Sequence, residues 1–184
     1  MKIISRIQLL RFLVCFCVAS TVLADDRVGI LLERLGSSPT LASEDKDVRV
    51  IREKTVQQQK ADDLLMTAMG LLGVNYKWGG SNPSQGMDCS GFIHYLFKTT
   101  RDVNLPRTAR MMSQEGMLVP RDKLQPGDIL FFATQQPGQV SHVAVYIGNG
   151  KFIHTPRTGK AVEIRPLDNP YWAKAYLWAR RINR

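Results

Sequence analysis

Beyond residue 24 the 184-residue chain has one cysteine, no internal repeat and no apolar run near the roughly 20 residues that cross a bilayer. These absences exclude an internal disulfide framework, a repeat array and a multi-span membrane protein. There is no stripe of interleaved aromatic and basic residues of the kind that binds single strands, so nucleic acid is not the expected partner. Also missing are a Cys pair and a His pair at helical spacing, the usual signatures of a structural metal. What is present is ordinary for a globular protein: 44% apolar and 22% charged residues, enough for one domain with a real core and too apolar for disorder throughout.

The one long apolar run reads as an export signal. Lys2, Arg6 and Arg11 give a basic start, Phe12 to Leu23 an apolar stretch, and Val22-Leu23-Ala24 a small-residue cleavage site before Asp25 and Asp26. Cleavage is expected after Ala24, which places the mature protein in the periplasm or cell envelope, with peripheral envelope association open to it. Cys15 and Cys17 lie inside the apolar stretch behind Val14 and Phe16, so a lipid anchor is not expected. The mature chain keeps a formal charge of +6, which suits contact with anionic envelope polymers.

Residues 25–58 mix charges with Gly36-Ser37-Ser38-Pro39 and a polar run from Gln57 to Lys60, and read as a linker. Apolar residues at Leu64, Leu65, Ala68, Met69 and Leu72 then recur at three and four, predicting a helix over 61–72, with the compact domain at 59–184. Phe92 to Thr100 is apolar on nearly all sides, which describes a buried helix with Cys89 in its first turn. The second half changes period: segments 129–133, 142–147, 151–155 and 161–164 are short, branched or aromatic, and separated by Gly, Asn and Pro. Helices followed by strands without alternation predict an α+β fold with an antiparallel sheet.

A thiol attacks as thiolate, and at its unperturbed pKa of about 8.5 little is ionised at neutral pH. A helix N-terminus and a neighbouring imidazolium both lower that pKa. The amides of Ser90, Gly91 and Phe92 are expected to point at the Cys89 sulfur and to be available to an oxyanion. Of three histidines, His94 is five residues along the same helix and rotated about 140° from Cys89, so it is excluded as base. His142 and His154 lie in adjacent strand segments separated by Gly148-Asn149-Gly150, and side by side they would supply a base and its orienting partner. The rival use of the same side chains is a zinc site of Cys89, His142 and His154 with Asp88; catalysis without a metal or organic cofactor is the reading taken.

Register decides whether the two histidines meet, because side chains alternate faces along a strand. A plain two-residue Asn149-Gly150 turn sends His142 and His154 to opposite faces. The catalytic reading therefore requires a three-residue loop with Gly150 at positive φ, so that Ala144 pairs with His154; a two-residue register without a compensating bulge nearby would remove the His154 role.

Six motifs occur in order: Leu72-Gly73-Val74-Asn75-Tyr76-Lys77-Trp78-Gly79-Gly80, Asp88-Cys89-Ser90-Gly91-Phe92, Leu105-Pro106-Arg107-Thr108, Leu124-Gln125-Pro126-Gly127-Asp128, Ser141-His142-Val143-Ala144-Val145-Tyr146, and Phe152-Ile153-His154. Together they resemble the NlpC-type cell wall cysteine peptidases, from about residue 60 to the end. The ending Pro170-Tyr171-Trp172 through Arg181 further resembles the murein D,D-endopeptidase MepS branch. The resemblance implies a minimal papain-like fold, with Cys89 as nucleophile, His142 as base and His154 as its orienter. It implies Tyr76 at the oxyanion, and Asp88, Ser90, Arg107 and Thr108 at the substrate. The partner it implies is peptidoglycan, cut through a thioester acyl-enzyme, with the D-alanyl to diaminopimelyl cross-link as the expected bond. The alternatives are the γ-D-glutamyl to diamino acid bond, amidase or acyl-transfer chemistry, and a wall-binding module without turnover.

Overall fold

The computed structural model describes residues 39–183, with side chains from 45; the expected export signal and its cleavage point lie outside the described residues. The compact unit that carries the described strands begins at Val48. Helix α1 spans Pro39–Gly70. The linker expected over 25–58 is thus helical from residue 39, and the helix expected to begin at 61 begins about six turns earlier. Pattern reading missed it because this stretch has no buried stripe: every residue from 45 to 59 is exposed, including Val48 and Ile51. Good helix formers and contacts such as Gln58 Nε2 to Asp62 Oδ1 (2.9 Å) carry it instead. It joins the core only near its end, at Leu64 and Ala68 with Leu65 packed beside them, and Leu71 follows just past Gly70.

A short hairpin of β1 (Ser81–Asn82) and β2 (Gly86–Met87) leads into helix α2 (Cys89–Arg101), followed by the single turn α3 (Ala109–Met112). The remainder is mostly sheet: β3 (Met117–Val119), β4 (Ile129–Phe132), β5 (His142–Gly148), β6 (Lys151–His154), β7 (Glu163–Pro166) and β8 (Tyr176–Arg181), with α4 (Pro170–Ala175) before the last strand. All neighbours are antiparallel, in the order β3-β8-β4-β5-β6-β7. The expected α+β class with an antiparallel sheet is what the chain adopts. The last strand expected, 161–164, begins two residues later at Glu163.

Alternation sorts the strands onto two faces. Ile129, Phe131, Val143, Val145 and Ile153 pack toward α1 and α2, with Phe92, Leu96 and Phe97. Leu130, Phe132, Ala144 and Phe152 pack on the other face with Ala175 and Trp172 of α4.

Close packing at the start of α2 depends on Gly91. A Cβ there would lie 2.0 Å from the carbonyl oxygen of Gly80, a backbone atom without freedom to yield. Gly91→Ala is accordingly expected to cost about 1–3 kcal/mol or more in urea unfolding, since overpacking against backbone must shift the helix start. A wild-type unfolding curve for this variant would show that the loop relaxes freely.

Candidate active site

Asp88 caps α2, its Oδ1 accepting the Gly91 amide at 2.7 Å. Oδ1 also accepts Ser90 Oγ (3.1 Å) and one Arg107 nitrogen (2.8 Å), while Oδ2 accepts the Gly79 amide (3.0 Å) and the other Arg107 nitrogen (2.7 Å). Five donors meet a carboxylate with about four lone-pair sites, so its acceptors are fully engaged. Arg107 also donates to Ser90 Oγ and to the Gly80 carbonyl. The result is a clamp that ties the Gly79-Gly80 loop and the Arg107 loop to the helix start. Burial alone would raise the Asp88 pKa, but the bonds from Arg107, Gly91 and Ser90 hold it below the usual carboxylate value.

Cys89 follows, half-buried as a free thiol. Two expectations are corrected here. The Gly91 amide is taken by Asp88 Oδ1 and the Phe92 amide by the Asp88 carbonyl (2.9 Å), so neither is free for the sulfur or an oxyanion. The amides of Cys89, Ser90 and Val143 serve the sulfur instead. The thiol is also not made more acidic: burial, then the Asp88 charge, push it up to about 11, against the pull of those three amides. His142 is correspondingly held down to about 3 by burial and by His154. Both shifts favour neutral thiol and neutral imidazole over an ion pair at rest.

The histidines do meet: His142 Nε2 lies 2.8 Å from His154 Nδ1, both rings buried. The register that brings them together arises differently from expectation. Val145 pairs with Ile153 and Tyr146 with Phe152, the ladder that continues to Ala144 opposite His154. The loop, however, has two residues, not three: Gly148 pairs with Lys151, and Asn149 (φ 52°) and Gly150 (φ 66°) form the positive-φ turn. The extra residue sits as a bulge at Ile147, where the register shifts between Tyr146 and Gly148. Turn chemistry favoured Asn-Gly at the tip, and the bulge restores the parity that the side chains need.

Both rings lie under Trp172, a residue of the family-like ending to which the sequence assigns no role at the site. Its ring centroid is 4.8 Å from that of His154 and 5.5 Å from that of His142, with Phe132 and Phe152 completing the cover. His154 is held down to about 3 by burial and by the Arg165 charge. Its Nε2 has no hydrogen-bond partner; the Glu163 carboxylate is 3.6 Å away. Neither Glu163 nor Arg165 carries a local sequence signal, because only the β6–β7 register sets them beside His154. His94 is remote from this chemistry, its Nδ1 bonded to the Leu105 carbonyl at 2.8 Å.

A cleft of about 610 Å³ opens over Cys89, lined by Tyr76, Trp78, Arg107, Thr108, Ser141 and others. Burial, followed by the Cys89 and Asp88 charges, raises the Tyr76 pKa, so its phenol stays a donor. Thr108 Oγ1 accepts the Met111 amide at 3.3 Å as the cap of α3. The zinc arrangement asks Cys89, His142 and His154 to face one centre, yet the two rings face each other. Among the described residues no three His, Cys, Asp or Glu side chains converge to hold an ion.

Comparison with known proteins adds three findings. The NlpC/P60 family model matches residues 73–181. Murein DD-endopeptidase MepH of Escherichia coli is 43% identical over 127 residues, covering 67% of this chain and 47% of its own. Murein DD-endopeptidase MepS/Murein LD-carboxypeptidase of the same species is 34% identical over 146 residues, 79% of this chain and 73% of its own. The chain thus spans about half of the first and nearly three quarters of the second. A crystal structure of an NlpC/P60 family protein from Bacillus cereus superposes with a TM-score of 0.62 at 44% identity, over 66% of this chain and 39% of that one.

Proposed function

The chain belongs to the NlpC/P60 family, and from that premise we propose an exported cysteine peptidase that hydrolyses amide bonds in the peptide part of peptidoglycan. The observation that carries this reading is the buried His142 Nε2 to His154 Nδ1 bond, with the amide of Val143, the residue after His142, serving the thiol at a helix start. With Nε2 of His142 donating to His154, Nδ1 is the nitrogen left to take a proton. Cys89 attacks the scissile carbonyl as His142 accepts its proton. The tetrahedral oxyanion is met by the Cys89 amide and the Tyr76 phenol. Collapse returns the proton to the leaving amine and leaves a thioester, which water hydrolyses with His142 again as base. Arg107, its terminal N–H groups already donated to Asp88, Ser90 and the Gly80 carbonyl, shapes the floor of the cleft with Thr108 beside it, where the stem peptide would lie. The substrate reading is the D-alanyl to diaminopimelyl cross-link. It draws its support from the two murein DD-endopeptidases to which the chain is similar.

The test is mass spectrometry of products from defined muropeptides. Cross-linked dimers are expected to become monomers, with turnover falling as salt rises because the protein is basic and the wall anionic. Intact dimers alongside single stems cut after γ-D-glutamate would move the bond while keeping the peptidase. No products from any muropeptide would leave a wall-binding module.

A further inference from the structure

His142 delivers Nδ1 as a base only if its own proton sits on Nε2 and is donated to His154 Nδ1. That arrangement requires His154 to carry its proton on Nε2, the outward-facing nitrogen. This N–H is buried without a hydrogen-bond partner, an arrangement that is destabilising unless an acceptor stands by. The nearest charged acceptor is in place. Glu163 stands directly opposite His154 in the β6–β7 ladder, with Oε1 3.6 Å from Nε2. Its carboxylate is fixed by Arg165, which donates to both oxygens at 2.9 Å from the next residue on the same strand face. Hydrogen bonds of this kind are often long without substrate and shorten when charge develops.

We propose that Glu163 is a positioning residue that holds the His154 proton on Nε2 and stabilises the positive charge that forms on His142 when Cys89 is deprotonated. The inference rests on the peptidase reading and extends its hydrogen-bonded series by one member. Around the pair, β7 contributes Glu163 and Arg165, β5 His142, and α2 Cys89. The contacts from α4 and β4 are the uncharged rings of Trp172 and Phe132.

Glu163→Gln keeps the size of the side chain and removes its charge, on an edge strand where the substitution is tolerated structurally. Its kcat on a cleaved muropeptide is expected to fall about tenfold with KM unchanged. Without the carboxylate the imidazolium is less stable, so the acid limb of the kcat profile moves to lower pH. Glu163→Asp, which keeps the charge, should restore most of both. A Gln variant with wild-type kcat and an unmoved acid limb would overturn the proposal. So would failure of Asp to rescue a slow Gln variant. An independent arm needs no turnover: imidazole ¹⁵N shifts of the intact wild-type protein should give His154 protonated at Nε2, and a proton on Nδ1 would equally overturn the proposal. If no muropeptide is cleaved the peptidase reading fails, while the nitrogen shifts still decide the role of Glu163.

Discussion

Cys89→Ala is expected to lower muropeptide cleavage by roughly 10⁴-fold or more, because without the sulfur no thioester forms and only binding and polarisation remain. The fold should survive. Asp88, not Cys89, caps α2, and the Asp88–Arg107 clamp contains no atom of the thiol. Circular dichroism and the unfolding midpoint of the variant should therefore match the wild type. Iodoacetamide should modify the wild type alone. Its rate should climb about tenfold per pH unit across the neutral range, because burial and the Asp88 charge place the thiol at about 11. Full turnover by the alanine variant would refute the nucleophile assignment. A modification rate that stays flat with pH would refute the neutral resting pair.

The second large effect separates the two histidines. His142→Ala removes the proton acceptor and is expected to cost about 10³–10⁴-fold in kcat. His154→Asn retains a short acceptor for the His142 N–H, and its loss should be nearer 10–100-fold, with the geometry loosened but the base present. Both variants disturb the packing under Trp172, so each is compared with wild type at equal folded fraction. Equal losses would mean that His154 does more than orient its neighbour.

The parts of this arrangement legible in the sequence are those set by local chemistry. Cys89 behind a capping Asp, the apolar helix that follows, and two histidines flanking an Asn-Gly turn lie within short stretches whose propensities agree with their final state. Other features depend on partners distant in sequence. β8, at Tyr176–Arg181, ends in two arginines that the sequence places in a family-like ending without giving them a partner. Arg181 forms a two-pronged ion pair with the buried Asp128, at 2.7 and 2.8 Å, and β8 is interior to the sheet between β3 and β4. Glu163 reaches His154 only through strand pairing after an eight-residue connection, which no window along the chain reveals. The direction of the Cys89 pKa was misread for a similar reason. The helix start is visible in the sequence, whereas burial and a charge already committed to Arg107 are not.

The bulge at Ile147 constrains the future of the β5–β6 hairpin. Hairpin tips are ordinarily where chains absorb insertions and deletions most readily. Here a change of one residue between Tyr146 and Phe152 that left the bulge in place would turn β6 over, sending His154 to the α2 face and Ile153 to the Trp172 face. A change of two residues preserves the pairing of faces. The histidine pair thus imposes an odd–even rule on a surface loop, and a single-residue change in the length of that loop is accommodated only where the bulge is gained or lost with it.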